Sequence, residues 1–413
     1  MMEKTKSNDE ELYEIVLGEY KRQETNIEMI ASESTVPKEV LELSGSIFTN
    51  KTLEGYPGNR FQAGSEYADK MELLAVERLK TLYKAEHANI QPVSGSTANY
   101  SVYAAVLSPG DTILAMDLNH GGHLTHGSSA NAMTKFYDFK HYGINKDTEK
   151  IDYEQLEQLA LQHKPKLIIS GASSYPRLID YEKISQIAKK VGAYTMADIA
   201  HVSGLIAAGL IPSPVPHTDF ITSSTTKTLC GPRGGFVLTK KEHAKAIDRG
   251  VFPRTLGSIH LHTMAGKAFT FKHADTDEFR STMQSVISNS TQLAASLEEH
   301  GFRIVSGGTD NHIIMVDLTP IGITGDQLQK ALDTVGITVN KNMIPFDTEK
   351  PSVTSGVRIG TTAVSQRGLK EEEMKEIAGI INSVARNHDD KNILHDNKKR
   401  VEKLISNFPL YDN

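Results

Sequence analysis

The chain has 413 residues, 38% of them hydrophobic and 23% charged, with a formal net charge of −6. That length suffices for two domains and a large core, and the interspersed charges exclude the basic face that nucleic-acid binding needs. The single cysteine, Cys230, excludes an internal disulfide and points to a reducing compartment, so a cytoplasmic location is expected.

In chain order, residues 1–23 are dense in Glu and Lys and lack the apolar stretch of a secretory signal. Leu12, Ile15, Val16 and Tyr20 recur at helical spacing, which predicts an N-terminal helical arm that docks on a surface. Gly55, Pro57, Gly58 and Gly64 make 49–64 a structured loop. Ser94-Gly95-Ser96-Thr97 opens a helical pattern that runs through Leu107. Strands are expected at 112–116, 166–170, 193–196, 219–223 and 235–239, with helices at 153–162 and 181–191. This alternation specifies an α/β domain with a largely parallel sheet. The longest apolar run, 204–215, is broken by prolines and falls short of a membrane span, so no membrane partner is expected. After about Phe252 the texture becomes helical, and from about Gly301 a smaller α+β region follows, ending in charged helices.

Ligands in open α/β sheets bind beyond the carboxyl ends of the strands. That rule collects His120 and His123 after 112–116, Ser173 after 166–170, Asp198 after 193–196 and Lys227 after 219–223. Lys227 precedes a tight glycine turn. Crowding by backbone there lowers an amine's pKa, as Schiff-base chemistry requires, whereas an ordinary strand-end lysine is solvated. Asp198 suits a protonated pyridine nitrogen, or else caps the next segment, and His201 lies within reach of the same ligand. Ser94, Gly95 and Ser96 offer backbone and hydroxyl donors to a phosphate, with a plain helix cap as the alternative. His120, His123 and His126 have no Cys or Glu to complete a ligand set, so no metal is expected. A ring stacked on a planar cofactor is the better functional reading of the run, with His126 alternatively a packed core histidine. Arg358 could clamp a substrate carboxylate in bidentate fashion, or form a surface ion pair. Glu54 is a candidate acid/base, or a solvated loop carboxylate. Together these residues make a pyridoxal-phosphate site for amino acids.

Along almost its whole length the chain resembles the serine hydroxymethyltransferase family. The resemblance is carried by Ile30-Ala-Ser-Glu33, Glu54-Gly-Tyr-Pro-Gly58, His120-Gly-Gly-His-Leu-Thr-His-Gly127, Tyr175-Pro-Arg177, Asp198-Ile-Ala-His201, the Lys227–Gly235 segment, Gly307-Gly-Thr-Asp-Asn-His312 and Thr354-Ser-Gly-Val-Arg358. It implies the pyridoxal-phosphate transferase fold of the aspartate-aminotransferase type. The expected parts are an arm over 1–30, a large α/β domain over 31–285 and a smaller α+β domain over 286–413. It implies that Lys227 carries the cofactor, Asp198 holds the pyridine nitrogen and His123 stacks on the ring. Ser173 and His201 would lie near the phenolic oxygen, and Ser32 and Arg358 would hold the substrate carboxylate. Glu54 would arrive from a partner subunit, in a homodimer or tetramer with sites at the interface.

The implied reaction converts serine and tetrahydrofolate to glycine and methylenetetrahydrofolate. The chain departs from the family at Thr52, where the family has Tyr, at Phe61-Gln62 (Tyr-Tyr), at Thr226 (His) and at Phe346 (Asn). Its 252–259 loop reads Phe-Pro-Arg-Thr-Leu-Gly-Ser-Ile where the family has Phe-Pro-Gly-x-Gln-Gly-Gly-Pro, which introduces Arg254, and Val93 and Thr97 replace His and Gln. These changes leave the lysine, aspartate and arginine in place and alter the shell around hydroxyl and folate. A folate-independent β-hydroxy-amino-acid aldolase or transaldolase is therefore the first alternative, and a catalytically silent homologue the second.

Overall fold

The structure is a computed structural model that describes residues 3–411. Its main sheet has seven strands: β1 (His87–Asn89), β2 (Thr112–Met116), β3 (Asp138–Tyr142), β4 (Leu167–Ser170), β5 (Tyr194–Asp198), β6 (Phe220–Ser224) and β7 (Gly235–Thr239). Their spatial order is β1-β7-β6-β5-β4-β2-β3. Successive residues point to opposite faces, so Ile113, Leu167, Ile169, Met196 and Phe220 pack under α1 (Gly95–Val106). Leu114, Met116 and Ile168 pack on the other face against Leu156, Ile184 and Ile187 of α2 (Tyr153–His163) and α3 (Tyr181–Val191). Helices on both faces explain why the central strands read as continuous apolar runs.

The expectation of a largely parallel sheet needs a correction at one edge. Pairs among β2 to β6 are parallel, but β7 runs antiparallel to both β6 and β1. The connection from β6 to β7 is the 225–234 turn, too short for a crossover helix, so the chain reverses directly. The strands β1 and β3 were not foreseen. His-Ala-Asn carries no alternation, and Asp-Phe-Lys-His-Tyr is only partly buried.

A second sheet, antiparallel throughout, orders β8 (Arg303–Ile304), β9 (Ile313–Asp317), β10 (Asn340–Asn342) and β11 (Gly356–Gly360) as β8-β9-β11-β10. Its core takes Leu328, Leu332, Ile377 and Ile381 from the C-terminal helices, and also Ile27 and Met29. The boundary expected at 285/286 falls inside the unbroken helix α4 (Asp277–Glu299). Phe279, Met283 and Val286 of α4 join the core under the large sheet, while Leu293 and Leu297 join that of the small one. One rigid helix thus ties the two cores together.

The expected arm begins at residue 1, and residues 1–2 lie outside the described residues. Its main helix, Glu10–Thr25, is capped by Asp9 and buries none of its residues. The segment after it pairs Ile27 with Ile337 in parallel register. Gly360 then comes so close to Ala31 that a Cβ there would lie 2.3 Å from the Ala31 Cα. This contact sets Ser32 beside β11, the strand that carries Arg358. No described helix is long and apolar enough to cross a membrane.

Candidate active site

Beyond the carboxyl ends of β4, β5 and β6 lies a cavity of about 240 Å³. Ser32, Ser94, Gly95, Ser96, His123, Ser173, Asp198, His201 and Lys227 all line it. The residues come from the arm's end, the start of α1, the loop after β2, and the ends of three strands.

Lys227 follows β6 and adopts a left-handed backbone conformation, φ 58°. For a residue with a side chain that is strained, and the surroundings hold it. Thr225 N donates to Gly234 O, Gly231 N to Thr225 O, and Thr228 Oγ1 to His201 O at 2.8 Å. Burial pulls the Lys227 ammonium down to about 8, with Asp198 opposing and Arg358 and Arg233 adding to the fall. The amine is held in the wall of the cavity, and the solvated alternative is overturned.

Asp198 ends β5 and is buried. Its Oδ2 accepts from Asn99 Nδ2 at 2.9 Å and from His126 Nε2 at 3.1 Å, and its Oδ1 accepts from Ala200 N. The helix cap is not its role: the next helix, Ser203–Ala207, starts at Val202 without a side-chain cap, and the Ala200 bond only closes a local turn. Burial favours the neutral acid, but the bonds from His126 and Asn99, with the nearby His123, hold the carboxyl well below the usual range. Among the described residues Asp198 has no Lys or Arg partner.

The histidines sort by their bonds. His123 N donates to His126 Nδ1, so the proton of His126 sits on Nε2 and points at Asp198. Both ring nitrogens of His126 are thereby engaged. His123, His126 and Asp198 lie close enough to suggest a cation site, with ligand atoms within 4.8 Å, but His126 has no lone pair to give. His123 Nδ1 accepts from Thr125 N and meets Thr125 Oγ1 at 2.8 Å, and burial pushes its pKa down to about 4. It is a neutral ring at the cavity wall. His126 proves to be more than core packing, because it orients Asp198. His120 does not line the cavity and packs instead against Phe346, ring centroids 4.9 Å apart. His201 is buried, stacked on His312 at 17°, and held neutral by burial and by the charges of Lys227 and Arg358.

At the opposite wall, Ser94 and Thr97 form a reciprocal capping box at the start of α1. Ser94 Oγ accepts from Thr97 N, and Thr97 Oγ1 accepts from Ser94 N. The N–H groups of Gly95 and Ser96 stay free to meet an anion at the positive end of the helix dipole. Cap and phosphate site are compatible readings of the same four residues.

Two expected residues lie outside the cavity. Arg358 borders it without lining it and is half-buried, with Nη1 donating to Ser173 O at 2.6 Å and Nε to Asn340 Oδ1 at 3.2 Å. No described carboxylate pairs with it, so the surface ion pair is overturned. Burial lowers its pKa to about 10. Glu54 does not reach the cavity of its own chain; its carboxylate accepts from Gln62 Nε2 at 3.2 Å, and its N–H donates to Gln62 Oε1 at 2.7 Å. Thr226 lines the cavity, while the new Arg254 donates to the Ala104 carbonyl on α1. Asn99 and Thr125 were missed. An Asn on the inward, apolar face of a helix, between Ala98 and Val102, was the signal available for the first.

These features fit pyridoxal phosphate. A buried amine, a buried anion without a Lys or Arg partner and a helix N-terminus line one cavity. A family model described as serine hydroxymethyltransferase matches residues 5–381. The chain belongs to the serine hydroxymethyltransferase family. That membership carries the type I fold of pyridoxal-phosphate enzymes, a cofactor of that kind and transferase chemistry at Cα–Cβ bonds in general. The segments 120–127, 198–201 and 227–235 that carried the resemblance each contribute to the cavity wall, through His123, through Asp198 and His201, and through Lys227 and Gly234.

Proposed function

We propose that this enzyme holds pyridoxal phosphate on Lys227 and breaks or forms the Cα–Cβ bond of a small β-hydroxy amino acid. The proposed reaction is that of the family, from serine and tetrahydrofolate to glycine and methylenetetrahydrofolate. One observation carries the reading: the lowered Lys227 amine and the cation-free Asp198 carboxylate share a single buried cavity. When bound, the cofactor supplies an electron sink for the pair released at Cα.

The chain's own groups do the rest. Asp198, held by His126 and Asn99, keeps a proton on the pyridine nitrogen. His123 presents its ring face, and Gly95 and Ser96 bind the phosphate. Ser173 and His201 lie by the phenolic oxygen. Arg358, whose guanidinium lacks a carboxylate, takes the substrate carboxylate together with Ser32. Glu54 of a second copy moves the proton at the substrate hydroxyl, which accords with its absence from its own chain's cavity. A homodimer is the smallest assembly that completes such a site.

A second reading, aldol cleavage without folate, is favoured by Phe346. The residue is 44% exposed and its ring packs on His120, where the family amide would offer hydrogen bonds. The test is to give the purified protein glycine, serine and threonine, with and without tetrahydrofolate, and to follow cofactor absorbance and glycine release. Serine cleavage strictly dependent on folate supports the family reaction. Threonine cleavage indifferent to folate selects the aldolase. If Lys227→Ala leaves the cofactor absorbance unchanged, the site assignment falls.

A further inference from the structure

Among the buried cations outside these roles is a lysine. Lys267, on the helix Leu261–His273 that precedes α4, is 2% exposed. Its Nζ donates to the carbonyls of Ile90 at 2.7 Å, Pro92 at 2.8 Å and Gly235 at 3.0 Å. A neutral amine has only two N–H donors, so three acceptors call for the ammonium. Burial draws its pKa down to about 7, and the Glu72 carboxylate works against that fall. An apolar side chain of similar length would fill this space at lower cost.

The three carbonyls belong to one place. Ile90 and Pro92 lead into Ser94, and Gly235 opens β7 directly after Gly234, which lines the cavity. Gly235 N also donates to Pro92 O at 2.8 Å. The lysine stem passes so close beneath these glycines that a Cβ on Gly234 would lie 2.1 Å from Lys267 Cε. A Cβ on Gly235 would lie 2.3 Å from Ser94 O. Glu72 is anchored in turn by Arg60 and by Gln91, the residue between Ile90 and Pro92.

We infer that Lys267 is a positioning residue for the cofactor's phosphate. It pins the turn before Ser94 to the start of β7, which shapes the cup formed by Ser94, Gly95 and Ser96, and its three-donor ammonium stands behind that cup. The inference rests on the proposal that the phosphate occupies the start of α1.

The experiment compares pyridoxal phosphate with pyridoxal, which lacks the phosphate. Cofactor-free wild type, Lys267→Met and Lys267→Gln are titrated with each by absorbance, and folding is checked by circular dichroism. Lys267→Met is expected to lose pyridoxal-phosphate affinity by roughly 10- to 100-fold, with pyridoxal affinity close to that of wild type. Lys267→Gln keeps two N–H donors without the charge, and is expected to fall between them. Equal losses for both ligands, no loss for pyridoxal phosphate, or failure of both variants to fold would overturn the inference. A wild type that does not distinguish the two ligands would overturn the phosphate assignment itself.

Discussion

At the scale of single residues, the chemistry depends on charges placed where water is scarce. Lys227 titrates near 8 because burial penalises its ammonium. Between that value and its unfolded value, near 10.5, the unfolded chain binds more protons, so stability rises with pH across that window. Below about pH 8 the buried ammonium costs the cofactor-free fold on the order of 3 kcal/mol. Lys227→Met is therefore expected to raise the melting temperature of the cofactor-free protein at pH 7, with the gain shrinking towards pH 10; equal gains at both pH values would contradict this. Asp198→Asn keeps the shape but removes the charge and sets an amide against the donors of His126 and Asn99. Activity should fall roughly 100-fold or more, while the circular dichroism spectrum stays that of the wild type. Lys227 and Asp198 were legible in the sequence because each follows a strand and sits in a distinctive motif. Asn99, Thr125 and the orienting role of His126 were not, since a buried polar residue differs from a core residue only by the partner it meets.

At the scale of elements, short segments are fixed by contacts that leave little slack. The helix Ser203–Ala207 packs on the Lys227 turn, and a Cβ on Gly204 would lie 2.0 Å from Thr228 O. Gly204→Ala should push that turn away and weaken cofactor retention, read as faster loss on dialysis than from wild type. The capping box of α1 makes a separate prediction. Thr97→Val removes the acceptor for Ser94 N and should cost about 1 kcal/mol, measured as a lower denaturant midpoint with an unchanged slope. Helices and strands of this kind were readable because burial follows their period: the 181–191 helix lies at its expected bounds, and 112–116 and 235–239 are strands. The direction of β7 was not readable, because alternation along a strand does not encode its neighbour's orientation.

At the scale of the whole molecule, the arm presents Leu12, Ile15, Val16 and Tyr20 to solvent, and Ile47, Phe61 and Tyr67 are exposed as well. Apolar side chains in that number suit contact with a second copy, in keeping with a Glu54 that does not serve its own cavity. Ile15→Glu is expected to shift the sedimentation coefficient towards that of the single chain and to reduce activity with it; an unchanged coefficient would count against the arm as part of the interface. The two sheets are joined by α4 and by Arg177, which bonds Ser306 and Asp310 across the gap. By itself the sequence determined the α/β alternation, the helical arm and the lysine, aspartate and glycine-serine motifs, because these depend on local period and residue chemistry. Only the tertiary structure decided that Ser32, Ser94, His123, Asp198 and Lys227 share one cavity, that Arg358 bonds the Ser173 carbonyl, and that Glu54 stays outside. Those relations join residues up to hundreds of positions apart, and they follow from how the two cores pack rather than from any pattern along the chain.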